Sequence, residues 1–419
     1  MPNSIKVSSV FVPGGFPNET YIPRDEHNLE TRVAAINDNL AKLVVVTGMT
    51  KSGKTVLVDR IFPRGDGNIW IDGGSISDEQ SFWEIVNDEL DMYTQVEYHE
   101  SHSTSASVEG TVSIEGNILL AKGSSELKGG LEGGNDKGYS FSRQVNPKIT
   151  AIRALTNEKY PIIIDDFHYI DKAVQKNIVR ALKSPIMRGA PVVFIAIPNR
   201  KYDAVEVERE MTGRIDNIEM PVWTEDELTQ IAKRGFAALK VVVKDEIIED
   251  LACAAYGSPF LMQEFCRELC KRSGITESQF LWQHIEPDIN LNEIYTSIAE
   301  HSGRSMFEKL KRGPRARSDR KDRVLIDGTV TDIYGVVMET LKHLQPGTES
   351  ITYEQLRTSM RAVIRDELPQ KNEISRVLDK IAEISYTDSS STPVIDWQSD
   401  SGLLTITDPF FAFFLKWSS

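Results

Sequence analysis

The chain has 419 residues, 40% of them hydrophobic and 26% charged, a balance that implies a globular protein with two or three separate cores. A formal net charge of −14 excludes a protein that holds nucleic acid over its whole surface, so any DNA contact has to come from a local basic patch. No apolar run reaches the about 18 residues of a membrane span.

The opening segment MPNSIKVSSVFVPGGFPNET lacks the basic start and apolar centre of a secretory signal. Three cysteines, Cys253, Cys266 and Cys270, fit a reducing cytoplasm. Cys266 and Cys270 lie one helical turn apart without further ligands at metal-binding spacing, so they read as buried small hydrophobes.

Residues 1–220 alternate strands with helices. The strand candidates are Leu43 to Thr47, Asn68 to Asp72, Pro161 to Asp165, Pro191 to Ile197 and Asn217 to Met220. This alternation predicts a three-layer α/β domain with a parallel sheet covered on both faces. A Ser/Gly-rich stretch at 94–146 interrupts it. There Val108, Val112, Ile114, Ile118 and Leu120 fall on alternate positions, the pattern of a two-faced β-ribbon. A tolerated surface insertion is the competing reading.

Residues 221–306 are helical throughout. Residues 307–326 form a charged stretch with Pro and Gly that reads as a linker. Residues 327–419 give three helical patterns, then the short strands PVIDW and LLTIT, and a closing aromatic run, DPFFAFFLKW. Three helices with a two-stranded wing predict a winged helix-turn-helix domain.

The segment Gly48–Met49–Thr50–Lys51–Ser52–Gly53–Lys54–Thr55 follows a strand and opens a helix at Val56. It matches the phosphate-loop pattern at every fixed position. Its glycines let backbone N–H groups turn toward phosphate oxygens at the positive end of a helix. Lys54 then reaches the β and γ phosphates, and the Thr55 hydroxyl ligates Mg²⁺. In IIIDDFHYI, Asp165 emerges from the carboxyl end of a buried strand, where α/β sheets bind ligands. Asp165 is expected to hold Mg²⁺ and Asp166 to polarise the attacking water.

Together these residues resemble the AAA+ and STAND P-loop ATPases of the origin-recognition-like clade. DDFH stands where those families usually have D-E-x-H. Further segments carry the resemblance. Tyr21 to Glu30 is similar to the segment ahead of the phosphate loop, which implies nucleotide contact by Arg24. Asn199 and Arg200 occupy the place of the γ-phosphate sensor. Arg214 stands just before the last strand, the place of an arginine finger. YGSPF resembles the G-x-P turn of the helical lid, which places Pro259 near the nucleotide. The implied cofactors are ATP and Mg²⁺. An arginine supplied by a neighbouring subunit implies a homo-oligomer.

Two functions follow. One is a nucleotide-gated oligomeric switch that answers to a protein effector or trigger, in prokaryotic signalling or anti-phage defence. The other is a DNA-associated AAA+ ATPase, of the replication-initiator or transposition-adaptor kind. It would use the winged helix or the basic residues of 309–323, Lys309, Lys311, Arg312, Arg315, Arg317, Arg320, Lys321 and Arg323. A solvated linker is the favoured reading of those residues, since Asp319 and Asp322 interrupt them. The third helical pattern, PQKNEISRVLDKIAEIS, mixes Lys371, Arg376 and Lys380 with Glu373, Asp379 and Glu383, which favours a protein contact as much as a DNA groove.

Overall fold

The structure, a computed structural model, describes residues 4–38, 41–90, 95–100, 139–144, 146–197, 211, 213–285, 289–314, 320–387 and 393–418. Five strands form one parallel sheet: β1 (Leu43–Thr47), β2 (Ile69–Asp72), β5 (Ile162–Asp165), β6 (Val192–Ala196) and β7 (Ile215–Glu219), in the order β2-β5-β6-β1-β7. Leu43 of β1 lies opposite both Val192 and Ile215, so the acid-bearing strand β5 is one strand removed from β1.

The sheet is buried on both faces. Leu43 and Val45 pack with Phe82, Trp83 and Leu182 on one side. Val44 and Val46 pack with Leu29, Leu57 and Val58 on the other. Alternate residues of one apolar strand thus feed two layers of helices, the expected three-layer α/β arrangement.

Between β2 and β5 the described ends of the insertion form a ribbon. β3 (Gln95–Glu100) runs antiparallel to β4 (Tyr139–Gln144), with Gln95 opposite Gln144. The alternating positions Val108 to Leu120 lie outside the described residues.

The helices Glu225–Leu239, Asp245–Ala254, Pro259–Arg272 and Leu291–Ser302 form a second core, the lid. Cys266 and Cys270 are buried in it, and burial pushes both thiols up. Here the structure differs from the division at residue 220, because Val7, Val10, Phe11 and Ile22 join the lid core. Chain order hides this return. The Phe11 ring fits against Gly235, where a Cβ would come within 2.3 Å of it.

The segment read as a linker begins inside the helix Arg304–Arg312, whose Phe307 and Leu310 are buried in the C-terminal core. Its basic residues are partly engaged: Lys311 with Glu339, Arg320 with Asp332, and the buried Arg323 with Glu373. The C-terminal domain contains the helices Ile333–Leu344, Tyr353–Met360 and Lys371–Thr387. Its sheet has three strands rather than two. Leu403–Ile406 pairs with Ile395–Gln398 and with Ser350–Thr352, which precedes the second helix.

The helix Pro409–Trp417 closes both outer cores. Phe410 and Phe413 enter the lid core, while Phe411, Phe414 and Leu415 enter the C-terminal core. Among the described residues no helix is long and apolar enough to cross a membrane.

Candidate active site

The phosphate loop runs from the end of β1 into the helix Lys54–Ile61. Two left-handed residues turn it, Lys51 at φ 58° and Gly53 at φ 96°. Lys54 is 8% exposed, and its Nζ donates to the carbonyls of Gly48 at 2.9 Å and Met49 at 2.8 Å. Burial pulls this ammonium down to about 8, against the opposing pull of Asp166 and Asp165. An anion offered to the loop would raise it again and take over these two bonds.

Asp165 sits at the carboxyl end of β5 beside Asp72, its partner at the end of β2. Burial pushes the Asp165 carboxyl up, while bonds from the Thr55 hydroxyl and the Asp166 N–H oppose that shift. Asp166 adopts left-handed geometry at φ 49°, an uncommon state for a residue with a side chain. Burial, then the Asp165 charge, push its carboxyl up to about 6, with Lys54 opposing. His168 Nδ1 stands 4.0 Å from Asp166 Oδ1.

Gly73 explains how the two acids are held. A Cβ there would lie 2.3 Å from the Asp166 carbonyl oxygen and 3.0 Å from that of Asp165, so only glycine allows this contact.

Asp166 and His168 open on a cavity of about 320 Å³, lined by Thr50, Lys51, Gly53, Lys54, Thr55 and Val56 on the loop side. That volume is of the size that takes a nucleotide-sized ligand. Its other walls come from distant segments: Gly14 to Ile22 at the N-terminus, Trp223 after β7, and Pro259, Phe260 and Gln263 of the lid. The buried Ser52 hydroxyl has no hydrogen-bond partner among the described residues, and the Ser52 carbonyl accepts from Trp223 Nε1 at 2.9 Å. The residues therefore suit a nucleotide: turned loop amides, a buried lysine and an apolar far wall. The oxygen set of Thr55 and Asp165 suits a hard divalent cation such as Mg²⁺.

Arg24 lines the cavity, yet its guanidinium is bound within the protein. It makes two bonds to the Glu227 carboxylate at 2.7 and 3.0 Å and others to the carbonyls of Pro221 and Val222. It stacks on Trp223 at 4.7 Å. Pro259 opens the lid helix after the left-handed pair Tyr256 and Gly257. Arg214 adjoins Leu43 at the start of β1, its carbonyl accepting from the Leu43 N–H at 2.9 Å. The five residues of β1 set it on the order of 15 Å from its own phosphate loop. Asn199 and Arg200 lie outside the described residues, but Ile197, just before them, lines the cavity.

Sequence reasoning missed several residues. Arg64 follows the loop helix, stacks on Trp70 at 4.1 Å and places a guanidinium nitrogen 4.0 Å from Asp165. Asp72, in NIWID, carried a readable signal: an acid ending a buried strand, as in IIID. Phe260 closes the YGSPF turn already singled out, whereas Trp223 and Gln263 carried no signal, since only the fold brings them to the cavity.

No protein-family model matches the sequence, and no curated protein sequence matches it. Among solved structures the chain is similar to the Walker-type ATPase of Pyrococcus abyssi, with a TM-score of 0.55 and 13% identity, covering 97% of this chain and 99% of that one. The fold is that of a P-loop ATPase. Looser overlaps at 12% identity are with the ORC2 protein of Aeropyrum pernix, solved in ADPNP and ADP complexes, and Cdc6p of Pyrobaculum aerophilum. The first has a TM-score of 0.49 and covers 98% of this chain and 97% of that one. The second has a TM-score of 0.44 and covers 98% of each.

Proposed function

We propose that this P-loop ATPase fold binds ATP with Mg²⁺, hydrolyses it, and acts as a nucleotide-gated oligomeric switch. The observation that carries the catalytic part is the convergence of Lys54, Thr55 and Asp166 on one cavity, with Asp165 bonded to the Thr55 hydroxyl just behind it. Lys54 neutralises the β and γ phosphates, and Thr55 and Asp165 hold the cation. Asp166 orients the attacking water, and Asn199 and Arg200 take the sensor role. Bound Mg²⁺ would supply charge neutralisation at the phosphates. Arg214, too far from its own loop, would complete the site of a neighbouring copy.

Support for the switch comes from Lys51. Its ammonium lies 4.4 Å from the centre of the Phe260 ring and 3.9 Å from that of Phe410. One loop residue thus touches the lid and the closing helix together. Burial pulls Lys51 down, with the half-buried Asp408 at that helix's N-cap opposing. A triphosphate in the loop would compete for this cation, so nucleotide binding is coupled to the seating of the C-terminal domain. The DNA-associated reading draws on that domain's order of helix, strand, helix, helix, strand, strand, which fits a winged helix. Against it, Lys380 of the third helix pairs with Glu383.

The test combines binding, turnover and mass. Wild type should bind ATP and shift to a larger assembly with it. Arg214→Ala and Asp166→Ala should each bind ATP and hydrolyse it poorly, and mixing them should restore activity. Retained binding in Lys54→Ala beside lost binding in Asp166→Ala would overturn the site. Absence of rescue in assemblies shown to be mixed would overturn the arginine supplied in trans.

A further inference from the structure

The lid carries an apolar feature that its core leaves uncovered. Phe280, Leu281 and Trp282 follow one another and are 92%, 74% and 59% exposed, whereas every other exposed large hydrophobic among the described residues stands singly in the chain. Their backbone is held at both ends. The Gln279 N–H donates to the Leu239 carbonyl at 2.9 Å, and the Gln283 N–H to that of Lys240 at 3.0 Å. Gln283–His284 then pairs in parallel with Val241–Val242, and Ile275 before the three residues and Ile285 after them are buried in the lid core. The three side chains thus form a fixed knob, with little backbone ordering left to lose on contact.

A second unmatched patch lies on the C-terminal domain. The hairpin of Arg323–Val324 and Val330–Thr331 leaves Ile326 59% and Val330 61% exposed. Ile326 borders a cavity of about 370 Å³, whose apolar lining is completed by Leu325, Ala362, Val363 and Leu415. Asp327, Lys342 and Lys416 also line it, so apolar and charged groups adjoin as they do at protein interfaces.

We propose that the Phe280–Trp282 knob of one copy enters this hollow on a second copy, joining copies head to tail. Shape favours that occupant. A protruding knob finds no match in an identical knob, whereas the chain itself supplies a hollow with apolar walls. The three side chains expose on the order of 400 Å², about half of what one partner gives to a stable interface. The knob is therefore the centre of a larger contact rather than a dimer interface by itself. An Arg214 given to a neighbour's loop joins unlike surfaces in the same head-to-tail manner. Leu415 belongs to the closing helix whose Phe410 meets Lys51, so the hollow is shaped by the helix that a bound triphosphate would disturb. The formal charge of −14 makes an anionic membrane the poorer occupant.

This inference rests on the oligomer proposed above and names its contact, and sedimentation velocity of the full chain, with and without ATP and Mg²⁺, separates the two. Phe280→Ser with Trp282→Ser removes the knob, and Ile326→Asp charges the hollow. All three positions are exposed and none lines the nucleotide cavity, so ATP affinity should stay at the wild-type value. Each variant should need at least about tenfold more protein to assemble. An equimolar mixture of the two holds one intact knob for one intact hollow, so it should stop at pairs. Assembly of either variant at the wild-type concentration overturns the inference, as does a mixture that gives only single copies or full-size assemblies. A knob variant that assembles normally but loses binding to neutral phosphatidylcholine vesicles overturns it in favour of a membrane. All of these leave the oligomer standing. A wild type that stays a single copy with ATP overturns both.

Discussion

The two ends of the cavity are built in opposite ways. At the phosphate end, Gly48 to Thr55 is one continuous loop, and Lys54 is satisfied by carbonyls of that same loop. At the far end, Val12, Thr20 and Gln263 arrive from two separate stretches of chain. Long-range packing brings them together. A lesion at the first end should therefore be local and chemical, whereas a lesion at the second should disturb the fold as well as the ligand.

The sharpest contrast is between Lys54→Ala and Arg24→Ala. Lys54→Ala should weaken ATP by about a thousandfold or more, as expected when a charged, desolvated contact is deleted, with little change in melting temperature. Binding and thermal unfolding measured side by side check this. Arg24→Ala should do the reverse. It leaves the Glu227 carboxylate without its partner, and loss of a buried pair costs about 3 kcal/mol. Chemical denaturation should show that loss, with a smaller fall in affinity. If Arg24→Ala abolishes binding while stability holds, Arg24 is a direct nucleotide contact and the contrast fails.

Gly235→Ala probes the far end from behind, against Phe11 and the lining residue Thr20. A methyl group forced against the Phe11 ring should cost about 1–3 kcal/mol, and a smaller partner in Phe11→Leu should recover part of it. A double-mutant cycle measures that recovery.

Proton chemistry should separate the ends by a smaller margin. With Asp166 pushed up to about 6, hydrolysis should rise as pH climbs from 5 to 7 and then level, while ATP binding changes less. The sign for stability is opposite. A carboxyl whose folded value is raised destabilises the fold above that value, and the effect vanishes below the unfolded one. Asp166→Asn should therefore melt higher than wild type at pH 7.5, the gap closing toward pH 4. A flat pH profile of turnover would remove Asp166 from the water-activating role.

The same contrast explains what could be read from the sequence. The five strands and the phosphate loop were legible because β-branched runs and a glycine-spaced motif are local signals. Asp165 was legible because it ends such a run. The far end was not, since nothing near Phe11 in the chain announces Gly235. The strand Ser350–Thr352 was missed because three residues, only Ile351 of them buried, leave no periodicity. The linker reading failed where Phe307 and Leu310 bury one helical face beneath a strongly charged surface.

The helix Pro409–Trp417 has a consequence for how the molecule is made. It leaves the ribosome after every element it packs against. Until Phe410 and Phe413 arrive the lid lacks part of its core, and until Phe411 and Phe414 arrive so does the C-terminal domain. The P-loop layer needs none of them, so during synthesis it can mature while two unfinished apolar surfaces wait beside it. Those surfaces are where a nascent chain of this protein calls for a chaperone.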